Sequence, residues 1–292
     1  MAKNLDQLTV NSLLHEMNQF DKTVPLAIEK AMPQIQLVVE QVIKSIEQGG
    51  KVLYLGSGTS GRLGILDASE CPPTFGVSPD LFTGIIAGGE EAIQTPVENA
   101  EDNMENGYNA VKKALSSSKD ILIAVSASGN TPYILGGVNA AKAITTCSIS
   151  CTPNSVITDK VNYPIEVSVG EEFIKGSSRL KAGTAQKLIL NMISTISMIK
   201  LGKVYDNYMI GVQATNKKLR NRSAKIVQDI AEVNSDIAMK ALKESDGDLK
   251  TAIIVARYSM NIVDAQDVLQ QEGNDLRRAL EKTDSRKRSA NL

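Results

Sequence analysis

The chain has 292 residues and 42% hydrophobic content, enough for roughly two domains with a buried core. Its 32 basic and 33 acidic residues give a formal net charge of -1, and it has no tryptophan, so we expect neither nucleic acid nor a membrane surface as partner. The single histidine, His15, excludes any metal site that needs two imidazoles, and we expect no metal.

The cysteine content and the apolar segments indicate a soluble, cytoplasmic protein. Three cysteines are too few, and an odd number, for a disulfide framework. The first residues lack the charged-then-apolar layout of a secretory signal. The best candidate for a membrane span, 188–199, has 12 residues and is too short to cross a bilayer.

The first half of the chain alternates helical patterns with short apolar runs. Residues 25–48 read as helix, with an interruption at Pro33. Five strand candidates follow, at 52–55, 84–87, 121–125, 147–150 and 163–167. Helical segments lie between most of them, and a long helix over 183–201 closes the unit. This rhythm predicts an α/β fold: a parallel sheet flanked by helices on both faces, in three α-β-α layers.

The character of the chain changes at about residue 204, beyond which the pattern predicts only short helices. Segments 238–253 and 265–280 echo each other as helix, glycine turn, helix. We therefore predict an N-terminal segment over 1–24, a sheet domain over 25–204 and a small C-terminal helical domain over 205–292.

A glycine-rich turn, 56–64, follows the first strand and opens a helix. It formally matches the dinucleotide motif G-x-G-x-x-G, but the acidic residue at the required spacing, Asp80, falls in a predicted turn. It also resembles a P-loop in which Arg62 and Leu63 replace the lysine and the hydroxyl. A tight turn that needs glycine for its backbone is the plainer alternative. Free N–H groups at a helix start suit a phosphate, and the turn adds the hydroxyls of Ser57, Thr59 and Ser60.

Two further polar stretches precede helices. The turn 126–132 follows the third strand and supplies Ser126, Ser128 and Thr131. Since the carboxyl ends of parallel strands open on one crevice, the two turns together predict a small phosphorylated, polyhydroxylated ligand. The stretch 176–184 adds Ser177, Ser178 and Lys181 as further candidate contacts, and Arg179 and Lys181 either bind an anion or lie on the surface.

Longer motifs carry a resemblance to a known family. The Ser-x-Ser-Gly-x-Thr turn resembles the sugar isomerase (SIS) fold. Residues 56–76 read GSGTSGRLGILDASECPPTFG and resemble the signature of N-acetylmuramic acid 6-phosphate etherases. Residues 86–93, 97–102, 176–192 and 21–25 continue the match, which covers about 21–282. The broad family includes the glucokinase regulatory proteins, and the C-terminal helices resemble a ubiquitin-associated three-helix module. Asn130 departs from the arginine that many members carry there.

The resemblance implies a lyase that removes D-lactate from the sugar ether with carboxylates and without a metal or cofactor. The family's catalytic glutamates correspond to Glu70, which we assign as proton donor, and Glu101, a second acid or base. We expect the helix to stop before Pro72, so that its negative end favours protonated Glu70. An aldose–ketose isomerase and a non-catalytic sugar-phosphate sensor remain as alternatives.

The spacing within this helix predicts a shared site. Ser60 and Glu70 are ten residues apart. A straight helix separates them by ~15 Å, more than one sugar phosphate spans from its phosphate to its ether oxygen. Either the chain bends back at Pro72, or Glu70 serves the neighbouring subunit of a homodimer. We favour the homodimer.

Overall fold

The computed structural model describes residues 4–211 and 217–290, and the chain divides into two compact units. The first comprises residues 1–69 and 79–197, and the second 70–78 and 198–292. The first unit contains a five-stranded parallel sheet flanked by helices, and the second is mainly helical. The predicted fold class is therefore confirmed. The exact domain limits stay a prediction.

Three helices precede the sheet. They are α1 (Val10–Asp21), α2 (Thr23–Lys30) and α3 (Met32–Glu47). The predicted interruption is present, but it falls at Ala31 rather than at Pro33. Pro33 is the second residue of α3, a position where the missing N–H costs nothing because no carbonyl precedes it within the helix.

The sheet contains all five predicted strands. They are β1 (Val52–Gly56), β2 (Phe82–Ile86), β3 (Ile121–Ser126), β4 (Thr145–Ser150) and β5 (Tyr163–Glu166). Their order is β2-β1-β3-β4-β5, and every neighbouring pair is parallel. Gly56 lies opposite Val125, so β1 and β3 end side by side. The two hydroxyl-bearing turns that follow them consequently open at the same edge of the sheet.

Helices cover both faces of this sheet. They are α4 (Gly58–Phe75), α5 (Glu91–Gln94), α6 (Met104–Ala114), α7 (Pro132–Ala140) and α8 (Lys181–Lys200). Leu53 and Leu55 pack with apolar residues of α6 and α7 in one buried cluster. Tyr54 points to the other face, where its hydroxyl donates to Asp67 of α4 at 2.9 Å. The alternation along β1 thus places one layer of helices on each side.

The C-terminal end of α4 corrects one expectation. The helix does not stop before Pro72; it includes Pro72 and Pro73 and ends at Phe75. Both prolines lie in the final turn, so only the last hydrogen bonds are lost. The Gly76 N–H donates to the Pro72 carbonyl at 2.9 Å, and Gly76 (φ +64°) then ends the helix. Glu70 therefore lies within the helix, a full turn before its C-terminal end, and not at the helix end as expected.

In the second unit, a short hairpin precedes the helices. Its strands β6 (Val204–Tyr205) and β7 (Tyr208–Met209) were not predicted. The helices are α9 (Lys217–Ala231), α10 (Ser235–Glu244), α11 (Leu249–Tyr258), α12 (Ile262–Gln271) and α13 (Leu276–Ala290). Nowhere in 4–211 or 217–290 is a helix both long and apolar enough to traverse a lipid bilayer.

The predicted echo among these helices is confirmed, and it extends to their ends. Asn234 and Asn261 cap α10 and α12 through their side-chain oxygens. Asp248 caps α11, and Asp275 accepts from the backbone of α13 at the equivalent position. Gly247 and Gly273 adopt positive φ in the two turns, as the predicted glycine turns require. Each half is thus the same capped helix pair.

Candidate functional site

A cavity of about 420 Å³ opens in the first unit, where β1 and β3 end. Residues from all three predicted polar stretches line it. The lining comprises Ser57, Gly58, Thr59, Ser60, Glu101, Ser126, Ala127, Ser128, Thr131, Cys151, Thr152, Val169, Gly170, Glu172, Gly176, Ser178 and Ala182. The structure therefore brings together eight of the eleven predicted site residues.

The first turn is held by side chains of other elements. Ser57 Oγ donates to Glu101 Oε2 at 3.2 Å across 44 positions of sequence. Buried Ser60 donates to Gln186 Oε1 of α8 at 2.9 Å. Gly58 (φ +51°) begins α4, whose first N–H groups face this end of the sheet. The turn therefore fixes a carboxylate beside a helix start.

The second turn is held by its own residues and by the segment after β4, whose Cys151 and Ile157 N–H groups donate to the Ala127 and Gly129 carbonyls at 3.0 Å. Buried Ser126 accepts from the Gly129 N–H at 3.1 Å and lies 3.0 Å from the Thr131 hydroxyl. Ser128 Oγ accepts from the Asn130 N–H at 3.3 Å. The Asn130 side chain accepts from the Val156 N–H at 3.1 Å, so this position serves a backbone contact. Thr131 directly precedes α7, which has proline at its first position.

The third stretch contributes only part of what was predicted. Ser178 lines the cavity, whereas Ser177 and Lys181 are not among its described lining residues. Lys181 is buried, donates from Nζ to the Glu171 carbonyl at 3.3 Å and lies 5.3 Å from the centre of the Phe20 ring. A ligand role for Ser177 and Lys181 stays a prediction.

The two predicted catalytic glutamates differ in their position relative to the cavity. Glu101 lines the cavity and is fixed by Ser57. Glu70 is exposed and does not belong to the described residues that line it. Of the two, only Glu101 lies with the hydroxyl-bearing turns. The catalytic roles of the two carboxylates remain predictions.

The electrostatics of the cavity come from the backbone and from carboxylates. No lysine, arginine or histidine occurs among its described lining residues. The starts of α4 and α7 supply the positive potential, and hydroxyls supply donors, which suits a phosphate or a polyhydroxylated molecule. Within the part of the chain that the structure describes, no three His, Cys, Asp or Glu side chains cluster as metal ligands.

Two acidic or polar residues of the site were missed by the sequence analysis. Glu172 lines the cavity and accepts from the Lys181 and Ala182 N–H groups at 2.8 and 2.9 Å, capping α8. Gln186 holds Ser60 from α8. A carboxylate a few residues before a helix is a recognisable capping signal, whereas the contact of Gln186 spans 126 positions and leaves no local signal.

The turn after β4 also edges the cavity, through Cys151 and Thr152. The Cys151 Sγ lies 3.8 Å from the Ala182 carbonyl, which accepts its hydrogen. Burial and the nearby Glu172 carboxylate raise the pKa of the Cys151 thiol to about 12. The cysteine consequently remains a neutral thiol at pH 7 and contributes shape rather than a nucleophile.

Comparisons with known proteins identify the fold class of the first unit. Residues 34–142 match the family model of the glucokinase regulatory protein N-terminal SIS domain, so the parallel sheet with its two hydroxyl-rich turns belongs to the SIS class. The solved structure of the protein c3406 of Escherichia coli CFT073 is similar in fold, with a TM-score of 0.50 and 15% identity over 68% of this chain and 96% of that one.

The sequence relatives identify the family within that class. An N-acetylmuramic acid 6-phosphate etherase of Actinobacillus succinogenes is 45% identical, over 95% of this chain and 92% of the relative. One of Staphylococcus aureus strain RF122 is 47% identical, over 95% and 93% respectively. The chain belongs to the N-acetylmuramic acid 6-phosphate etherase family, as its sequence motifs predict.

Proposed function

We propose that this protein cleaves the D-lactyl ether of N-acetylmuramic acid 6-phosphate, giving N-acetylglucosamine 6-phosphate and D-lactate in the recovery of cell-wall sugars. The observation that carries the proposal is the 45–47% identity to such etherases over 95% of the chain. The cavity supports it, because a carboxylate lies between hydroxyl-bearing turns that suit a sugar phosphate.

The reaction needs proton transfers and no redox step. A plain ether resists direct hydrolysis, but in the open-chain sugar C2 lies next to the aldehyde. A base removes the C2 proton, the electron pair forms a C2–C3 double bond, and the C3–O bond breaks. The departing oxygen takes a proton from an acid as lactate leaves. Water then adds across the double bond, its oxygen to C3 and a proton to C2.

The residues of this chain take distinct parts in the proposal. The two turns hold the phosphate and the sugar hydroxyls through Ser57, Thr59, Ser60, Ser126, Ser128 and Thr131. Glu101 is one acid or base, and its hydrogen bond from Ser57 fixes the direction of one carboxylate oxygen. Glu70 is the proton donor. Ser177, Ser178 and Lys181 are further substrate contacts.

The proposal includes a homodimer with shared sites. Ser60 and Glu70 both belong to α4, ten residues apart. A helix of that length separates them by ~15 Å, so Glu70 serves a neighbouring subunit. Mixing subunits that carry Glu70→Gln with subunits that carry Ser126→Ala and Ser128→Ala tests this. Restored lactate release in the hybrid is expected; an inactive hybrid would rule out sharing.

We place the protein in the cytoplasm as part of the same proposal. Cys147 and Cys151 are free thiols. Cys71 and Cys147 are buried, as packing thiols are, and free thiols are typical of a reducing compartment.

The test is a product assay without added metal. The protein is incubated with N-acetylmuramic acid 6-phosphate and, separately, with fructose 6-phosphate, and D-lactate is measured. Lactate in equal amount to the sugar product is expected from the first substrate only. In D₂O, elimination and addition place one deuterium at C2 of the product. A rearranged sugar without lactate would indicate an isomerase, and binding without reaction a sensor.

Variants of the two glutamates assign the proton transfers. Glu101→Gln and Glu70→Gln should each lower kcat by about 10²- to 10⁴-fold, since an amide cannot exchange the proton. Both should still bind N-acetylglucosamine 6-phosphate. Exposed Glu105 in α6 provides the matched control, and Glu105→Gln should retain full activity. Unchanged kcat in Glu101→Gln would remove Glu101 from the mechanism.

A further inference from the structure

A second cavity adjoins the first within the same unit. Its volume is about 370 Å³, and it lies between the start of α4 and the loop 96–102. The two cavities share Ser57, Gly58 and Glu101. The Ser57–Glu101 hydrogen bond therefore stands at their common boundary, with the hydroxyl-bearing turns on one side and a separate space on the other.

The second cavity contains a cation, whereas the first has none among its described lining residues. Arg62 is the only lysine, arginine or histidine of the described lining of the second cavity. It is half-buried on the second turn of α4, and its Nε donates to the Ile93 carbonyl at 2.8 Å. This bond fixes the plane of the guanidinium and leaves its two terminal nitrogens for another partner.

Arg62 takes part in none of the ion pairs found among residues 4–211 and 217–290. Three exposed carboxylates, those of Glu98, Glu101 and Asp102, line the same cavity and disfavour an anion there. Arg62 is the one group of the described lining whose charge attracts an anion.

We propose that Arg62 binds the carboxylate of the lactyl group, and so selects substrates that carry an acid on the ether. This rests on the proposed function, whose substrate has two anionic groups, a phosphate and a carboxylate. The first cavity offers hydroxyls and helix starts for the phosphate, and the second offers a planar guanidinium, which pairs with carboxylates through two parallel hydrogen bonds. Glu101, at the boundary, then faces the bond between the sugar and the lactyl group.

Because the proposed role of Arg62 is to bind substrate, the ratio of kcat/KM for two substrates tests it better than a single rate. The experiment compares N-acetylmuramic acid 6-phosphate with the analogue whose lactyl carboxylate is replaced by a carboxamide. The wild type should prefer the acid by about 10- to 100-fold in kcat/KM, as expected for a charge-assisted pair. Arg62→Met should bring this ratio close to one, mainly through KM for the acid. An unchanged ratio would overturn the proposal.

Two further measurements separate this role from a structural one. Damage to the fold lowers kcat/KM for both substrates equally and leaves their ratio unchanged. N-acetylglucosamine 6-phosphate, which lacks the lactyl group, should bind wild type and Arg62→Met with the same Kd in calorimetry. If Arg62→Met fails to fold, Arg62→Lys is measured, and its ratio should fall between those of wild type and one; a wild-type ratio in Arg62→Lys would overturn the proposal.

The same assay includes a control variant and separates failure of this proposal from failure of the proposed function. Lys113→Met removes an exposed cation of α6 outside both cavities and should keep the wild-type ratio. Failure of the wild type to release lactate would defeat the proposed function itself, before any variant is compared. A wild type that releases lactate and an Arg62→Met variant that still distinguishes acid from amide would defeat only the assignment of Arg62.

Discussion

The two hydroxyl-bearing turns reach the same edge of the sheet by different means. The first turn is braced by other elements, since Ser57 bonds Glu101 and Ser60 bonds Gln186. The second turn is braced internally by Ser126, which contacts both Gly129 and Thr131. The first turn thus couples the cavity to a carboxylate and to α8, whereas the second is tied to its own residues and to the backbone that follows β4. Substitutions in the two should separate function from stability.

The largest losses of stability are expected at the glycines of the two turns. A Cβ on Gly56 would lie 2.4 Å from the Gly61 backbone nitrogen, so Gly56→Ala has to displace the first turn of α4. A Cβ on Gly129 would lie 2.2 Å from the Oγ and 2.4 Å from the Cβ of Ser155, so the backbone that carries Ser155 has to shift, and φ is +67°. Urea denaturation should show a loss above about 3 kcal/mol for each variant.

Gly89→Ala serves as the control for this pair. Gly89 has a φ of +68° and nothing within 4 Å of an added Cβ, so its substitution measures the backbone cost alone, about 1 kcal/mol. Equal losses in Gly56→Ala and Gly89→Ala would show that the close approach to Gly61 does not constrain the first turn.

A smaller and more selective contrast is expected at the serines. Ser126→Ala leaves the buried Gly129 N–H without its acceptor and should lower the free energy of unfolding by about 1–3 kcal/mol. Ser57→Ala should change it by less than about 0.5–1 kcal/mol. It should instead lower kcat about tenfold, because Glu101 is no longer held in one orientation. Normal kcat with a large stability loss in Ser57→Ala would contradict the comparison.

The smallest effect is a pH dependence that belongs to the helix of the first turn alone. Burial raises the pKa of Asp67 on α4, although Tyr54 and Ser194 donate to it and Lys187 lies nearby. The folded state therefore binds this proton more tightly than the unfolded state. Between the unfolded pKa of about 3.9 and the folded one, the Asp67 contribution to stability falls as pH rises.

Asp67→Asn should remove this slope. The free energies of unfolding of wild type and variant are measured from pH 4 to 7. The substitution itself adds a constant difference between them. Beyond that difference, the wild type should lose stability relative to the variant as pH rises. Asp159→Asn, at an exposed site in 158–160, should follow the wild type. The helix of the second turn, α7, has no ionisable acid or base in its sequence PYILGGVNA apart from tyrosine, and offers no equivalent slope. If the unfolding free energies of Asp67→Asn and wild type changed with pH in parallel, Asp67 would not be the source of the slope.

The sequence predicts the fold well wherever local patterns are strong. All five strands follow from short apolar runs ended by glycine or hydroxyl residues, and the paired C-terminal helices from their glycine turns. The hairpin at 204–209 escapes notice because strands of two residues show no periodicity. The stop before Pro72 is wrong because prolines in a final turn remove few hydrogen bonds.

The site was predictable in its turns but not in its long-range contacts. Hydroxyls next to helix starts mark Ser57 and Ser126 from local sequence alone. The bond of Ser57 to Glu101 depends on how β1 and the loop before α6 pack. The position of the Lys181 ammonium, 5.3 Å from the centre of the Phe20 ring, depends on how α1 and the start of α8 pack. Such contacts are set by the tertiary fold, which residue spacing does not reveal.

The protonated thiol of Cys151 has a consequence for the chemical durability of the protein. Peroxide and alkylating reagents attack thiolates, and a cysteine with a pKa of about 12 offers almost none at neutral pH. Cys151 lines the cavity and is thereby a poor target for such reagents at neutral pH. An inhibitor of this cavity should rely on non-covalent contacts rather than on a bond to this sulfur.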